Sequence, residues 1–186
     1  MACPQDKHAK HLSPKKERSI MSSQVKRVPE GYHTITPGLV VKDAKKAIEF
    51  YKQAFGAEVI GVKTTPDGSK VVHSEIKIGD SRVFINDEFP EMGALAPEAG
   101  GRAPVSLNMY VEDADALFNQ AVAAGATVRM PIADQFWGDR WGMVADPFGY
   151  VWSVASHVAD LSPEEIDKAS LEYFNQSDKS SAHGES

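Results

Sequence analysis

Cysteine is almost missing from this chain: Cys3 is the single one among 186 residues. That excludes an internal disulfide and any cysteine-built metal cluster. No apolar run approaches the ~20 residues a membrane helix needs, and the start shows no charged, apolar, small-residue signal segment. Positive charge is in deficit, 20 Lys and Arg against 26 Asp and Glu for a net charge of -6, which argues against nucleic acid as a partner. A P-loop, a G-x-G-x-x-G stretch and a serine elbow are also absent. The expectation is a cytoplasmic protein with neither a membrane nor a nucleic-acid partner.

What is present is ordinary for one globular domain with a good core: 42% hydrophobic and 25% charged residues. The ends differ from the middle. Residues 1–28 are rich in Lys and Arg and poor in apolar periodicity, so a disordered basic extension is expected there. Within it Met21 opens MSSQVKRVPEGYH, which reads as a natural chain start. Residues 175–186, NQSDKSSAHGES, read as a disordered tail.

The middle is one unit written twice. LVVKDAKKAIEFYKQAFGAEV at 39–59 aligns with MYVEDADALFNQAVAAGATV at 109–128, matching Asp43 with Asp113 and Gly56-Ala57 with Gly125-Ala126. Each copy reads as a strand, an Asp-capped helix, and a glycine stop. The pattern then switches to period two: a strand near 58–63 with the hairpin VVHSEIKI, Gly79-Asp80, SRVFIN, and a strand near 127–130 with a second hairpin. That second hairpin lies in DQFWGDRWGMVADPFGYVWSV at 134–154, which holds all three tryptophans and turns at D-P-F-G. The repeats span 32–89 and 104–158, and the Gly/Pro/Glu-rich connector at 90–103 is long enough to double as a lid. A third helix is expected over 161–174, opened by a capping box of Ser162 and Glu165 with Pro163 at its first position.

A doubled βαβββ unit with D-P-F-G in its last hairpin resembles the vicinal oxygen chelate superfamily of glyoxalases, bleomycin resistance proteins and extradiol dioxygenases. PEGYHTITPGLVV, F-W-G-D-R-W-G and DPFGYVW look most like its PhnB-like branch. The resemblance covers residues 29–160. It implies an α+β fold of two tandem βαβββ modules forming a concave, cleft-bearing sheet with helices outside, and a homodimer. Such a fold does not choose among the superfamily's activities.

Alternation divides the strand residues between the helix side and the cleft side. Leu39, Val41, Ile76, Ile78, Val83, Ile85, Leu107, Met109, Val111, Trp152 and Val154 fall on the helix side. The cleft set is Thr36, His73, Glu75, Lys77, Arg82, Phe84, Asn86, Ser106, Asn108, Tyr110, Arg140 and Ser153, with His157 at its end. If Ala145 pairs with Tyr150 across the turn, Trp141 points into the core and Arg140 into the cleft, equivalent to His73. Trp137, beside Gly138, would rim the pocket.

Metal-binding members of the superfamily take one His, Gln or Glu from the first and last strands of each module. Here those places fall on Thr36, Phe84 (or Asn86), Ser106 and Ser153, which are not such ligands. No metal or other cofactor is therefore expected. His73 and Glu75, two apart on one strand face, are the candidate acid–base pair. Phe84, Asn86, Ser106, Asn108, Tyr110, Trp137, Arg140 and Ser153 are the candidate ligand contacts, Arg140 for an anionic group. The leading expectation is metal-independent binding of a small molecule. The alternative is a lyase, isomerase or dioxygenase using a divalent metal or the His73–Glu75 pair.

Overall fold

The computed structural model describes residues 25–181, with side chains through residue 175. The expectations for residues 1–24 and 182–186 lie outside the described residues. The chain divides into Met1–Glu30 and Gly31–Ser186, and among the described residues every helix and strand falls in the second unit.

The first module runs β1 (Gly38–Val41), α1 (Ala44–Phe55), β2 (Glu58–Thr64), β3 (Val71–Ile78) and β4 (Ser81–Asp87). The second repeats it as β5 (Ser106–Tyr110), α2 (Ala114–Ala123), β6 (Thr127–Asp134), β7 (Asp139–Ala145) and β8 (Val151–His157). The strands form two four-stranded sheets, ordered β1-β4-β3-β2 and β5-β8-β7-β6, with the first and last strand of each module parallel. The architecture is thus the expected α+β pair of βαβββ modules with helices outside, and no barrel is closed.

Local chemistry explains the boundaries. Asp43 and Asp113 each accept a main-chain N–H three residues on, from Lys46 and Ala116, and so cap α1 and α2. Gly56 ends α1 in the left-handed conformation. β6 runs on to Asp134, past the strand expected at 127–130, although Pro131 lies within it. The proline is tolerated because β6 is an edge strand, and the pairing shifts register around it. α3 (Pro163–Ser181) opens with the expected capping box, Ser162 Oγ and Glu165 Oε2 lying 2.7 Å apart. It continues well beyond residue 174 into what read as tail, because no proline or glycine intervenes before Gly184.

One hydrophobic core serves both modules. Leu39, Val41, Ile76, Val83, Ile85, Trp152 and Val154 are all buried, as alternation requires. Tyr51 and Phe55 of α1 reach across to the Trp152 ring, at 5.4 and 4.7 Å between centroids. The D-P-F-G turn ties the halves together. Asp146 Oδ1 accepts the N–H groups of Phe148 and Tyr150, and Oδ2 accepts the Tyr51 hydroxyl and the Trp152 indole N–H. Gly149 holds a φ of 95°, and a Cβ there would meet Pro97 of the connector at 2.8 Å. The connector is thereby seated on the turn, where Ala103 N–H also donates to Gly149 C=O.

The turn is one residue longer than expected, and that corrects the parity of β7. Ala145 pairs with Val151, not Tyr150, so Trp141 lies opposite Ala155 and Arg140 opposite Ser156. Ser156 faces the helices: its hydroxyl accepts Ala114 N–H at the start of α2. Arg140 therefore lies on the helix side and Trp141 on the open side, the reverse of the expectation. Equivalence with His73 likewise passes from Arg140 to Trp141, because Ser74 and Gly142 hold matching registers.

Candidate functional site

Each sheet has one face against the helices and one open face. On the first module's open face His73 and Glu75 stand together as expected, but Glu75 is engaged elsewhere. The Tyr32 hydroxyl donates to its Oε2 at 2.7 Å, and Arg82 Nη1 forms an ion pair with Oε1. Arg82 also lies 4.8 Å over the Tyr32 ring and donates Nε–H to Gly31 C=O. Partial burial pushes the Glu75 carboxyl up, but Tyr32 and then Arg82 outweigh it and hold the pKa below the ordinary value. His73 packs on Phe84 with 4.8 Å between ring centroids. Asn86 donates Nδ2–H to Asp87 C=O.

The second module's open face is different in kind. Ser106, Asn108 and Tyr110 of β5 are exposed along one edge, and Ser153, beside Asn108 on β8, is 3% exposed. At the far end of the sheet Asp139 is only 4% exposed. Its Oδ2 accepts the Tyr110 hydroxyl at 2.7 Å and the Trp137 indole N–H at 3.0 Å, while Oδ1 meets His157 Nδ1 at 2.8 Å. Trp137 packs edge-on to Trp141 at 5.8 Å and to Phe136 at 4.9 Å. His157 Nε2 reaches the exposed Asp160 at 3.0 Å. Asp139 first and Asp160 second raise the pKa of His157 by accepting from its ring. Burial would raise the Asp139 carboxyl, but His157, Tyr110 and Trp137 together hold it low.

Of the expected contacts, Tyr110 and Trp137 are brought into one cluster, with His157 beside them. Arg140 is not. Its guanidinium binds Asp115 in the first turn of α2 and Asp134 of β6, and both carboxylates favour its charged form. An arginine so held on the helix side is a bracket between α2 and the sheet edge, not a cleft anchor. Asp139, Trp141 and Tyr32 were missed. The signal for Asp139 was its place next to Arg140 in G-D-R-W, where the corrected register sets it opposite His157.

These open faces, repeated on two βαβββ modules, have counterparts elsewhere. The family model for the glyoxalase/bleomycin resistance protein/dioxygenase superfamily matches residues 32–154. The chain belongs to that superfamily. Among its relatives, uncharacterized protein Rv0887c of Mycobacterium tuberculosis is 43% identical over 138 residues, covering 73% of this chain and 81% of that protein. The crystal structure of TioX from Micromonospora sp. ML1 matches with a TM-score of 0.54 at 25% identity, covering 67% of this chain and 98% of TioX. A PhnB protein from Bacillus cereus shares the fold with a TM-score of 0.53 at 18% identity, over 68% of this chain and 100% of that one.

The divalent metal used by some members of this superfamily does not fit the donor set here. Thr36, Ser106 and Ser153 offer hydroxyls, Phe84 a phenyl ring, and Asn86 an amide already bonded to the main chain. None replaces an imidazole or carboxylate ligand. Among the described residues no three His, Cys, Asp or Glu side chains converge to hold an ion.

Proposed function

We propose that this member of the glyoxalase/bleomycin resistance superfamily binds a flat small molecule on the open face of its second module, without a metal. The observation that carries the reading is the cluster of Tyr110, Trp137 and Trp141 around the buried Asp139. Aromatic faces fixed by a buried carboxylate form a rigid stacking surface that loses little entropy when a ligand docks. Ser106 and Asn108 supply polar contacts along the β5 edge. A homodimer fits this reading, since a second copy would cover the exposed β5 edge of Ser106, Asn108 and Tyr110.

The test is a thermal-shift screen of aromatic ligands on the purified chain, repeated with zinc, nickel, iron or manganese and with a chelator. Stabilisation by ligand that is indifferent to metal and chelator is expected, and Trp137→Ala should remove it. Elemental analysis finding about one metal per chain, lost on substitution of open-face residues, would sink the metal-free reading.

A second reading is acid–base chemistry, and the observation favouring it points to His157 instead of His73. Glu75 has both oxygens occupied by Tyr32 and Arg82, which suits a strut better than a proton carrier. His157 is oriented by a buried carboxylate through Nδ1, leaving Nε2 toward an exposed partner. Turnover of any ligand from the screen, abolished by His157→Gln with binding retained, would decide for this reading.

A further inference from the structure

The doubled fold supplies its own control. Parallel pairing sets Gly38 beside Phe84 and Asn108 beside Ser153. Val40 is therefore the counterpart of Tyr110, and Ser81 the counterpart of Tyr150. On β1 the Pro37 and Val41 carbonyls bond toward β4, and on β5 the Val111 N–H donates to Ala155 of β8. The alternate residues turn their amides to the free edge. On β1 that edge is closed: Val40 N–H donates to the Tyr150 phenol oxygen and the phenol donates to Val40 C=O, both at 2.9 Å. The Tyr150 side chain is buried in the shared core.

On β5 the matching amide belongs to Tyr110, and within the described residues no hydrogen bond reaches its N–H or C=O. Ser81 stands where Tyr150 would be, because the first module turns through Gly79-Asp80 alone. In place of a phenol there is a cavity of 810 Å³. Its walls include Phe55, Ile78, Val83, Leu107, Met109 and Leu117, the apolar helix side of both modules. The volume lies in the range of small-molecule pockets, about 300–1,000 Å³.

We infer that this cavity binds a phenolic small molecule, whose ring takes the place that the Tyr150 ring fills in the other half and whose hydroxyl bridges the main-chain N–H and C=O of Tyr110. The apolar wall takes the ring and its substituents, and the free amide supplies the directional contact that the phenol makes in the other half, while His33, Asp80 and Arg82 also line the cavity. A purely aliphatic ligand would leave that amide without a partner. The cavity wraps the free edge of β5, so Asn108 and Tyr110 border both it and the open face, but Trp137 and Trp141 do not line it. Shifts at Ser81–Val83 or at the Trp137 face therefore tell the two readings apart.

The probe is p-cresol, the tyrosine side chain itself, titrated into the ¹⁵N-labelled full chain and followed by amide shifts. Saturable shifts are expected at Asn108–Val111 and Ser81–Val83, with toluene binding about tenfold more weakly for want of the hydroxyl. Ser81→Tyr should supply the phenol from the chain and abolish the p-cresol shifts. Equal binding of toluene, shifts confined to the Trp137 face, no saturable shifts, or undiminished binding by a folded Ser81→Tyr variant would each overturn the inference. Should Ser81→Tyr fail to fold, the comparison of p-cresol with toluene on the unmodified chain decides alone.

Discussion

Along the open face of the first module stand His73, Glu75 and Lys77 on β3, with Arg82 and Phe84 beside them on β4. The registers place Trp141, Met143 and Ala145, with Val151 and Ser153, at the same points of the second module. Four ionisable residues on one side are answered by four apolar ones on the other. The first face satisfies its own charge, through Glu75, Arg82 and Tyr32. The second face has buried the Asp139 carboxylate under donors and set half-buried aromatic rings beside it. A duplicated fold has here divided its chemistry: one face braces the sheet with charge, and the other is the one we propose for a ligand.

Four experiments break or sharpen that contrast. The largest effect is expected from Trp152→Ala, since the indole fills the core between modules at 2% exposure. A loss of about 3–5 kcal/mol in denaturant unfolding is expected, against about 2 kcal/mol for Val83→Ala at the equivalent place. Equal losses would show that the modules pack alike. Next comes Trp137→Ala, which should reduce ligand affinity on the second face about tenfold or more by removing a stacking ring, with a smaller stability change than at Trp152. His73→Ala, on the braced face, should leave that affinity unchanged.

A smaller effect is expected at Arg140. Arg140→Ala should lower the denaturant midpoint only slightly, because its ion pairs are partly exposed and screened. It should not alter ligand binding; a binding defect as large as that of Trp137→Ala would restore Arg140 to the open face. The smallest effect concerns pH. His157 is raised by Asp139 and Asp160, so its contribution to stability is fully present below pH about 6.5 and fades as pH rises through its folded value. Ring-proton NMR should show His157 titrating above its ordinary value, and Asp139→Asn should bring it back down. No change in that variant would mean that Asp139 does not govern the imidazole.

The fold was legible because apolar alternation is robust. Leu39, Ile76, Val83 and Trp152 declare their side of the sheet whatever the turns do, and Asp43 and Asp113 announce their helices. The site was less legible, because a single residue in the D-P-F-G turn decides which way β7 faces. Counting the turn one residue short moved Arg140 into the cleft and Trp141 into the core, since strand side chains repeat every two residues. Glu75 was placed correctly, but its partner Tyr32 lies 43 residues earlier in the chain. No local pattern predicts a contact that only tertiary folding creates.

Asp146 carries a last consequence. Its carboxylate gathers the Tyr51 hydroxyl from one copy of the repeat and the Trp152 indole from the other. The second copy cannot open without taking the buried acceptor from Tyr51, nor the first without taking a donor from the buried Asp146, so the halves are expected to melt in one cooperative transition. Two copies of one unit are thereby made a single cooperative body. Expressed apart, each copy would expose its half of this shared bond, and neither is expected to fold alone.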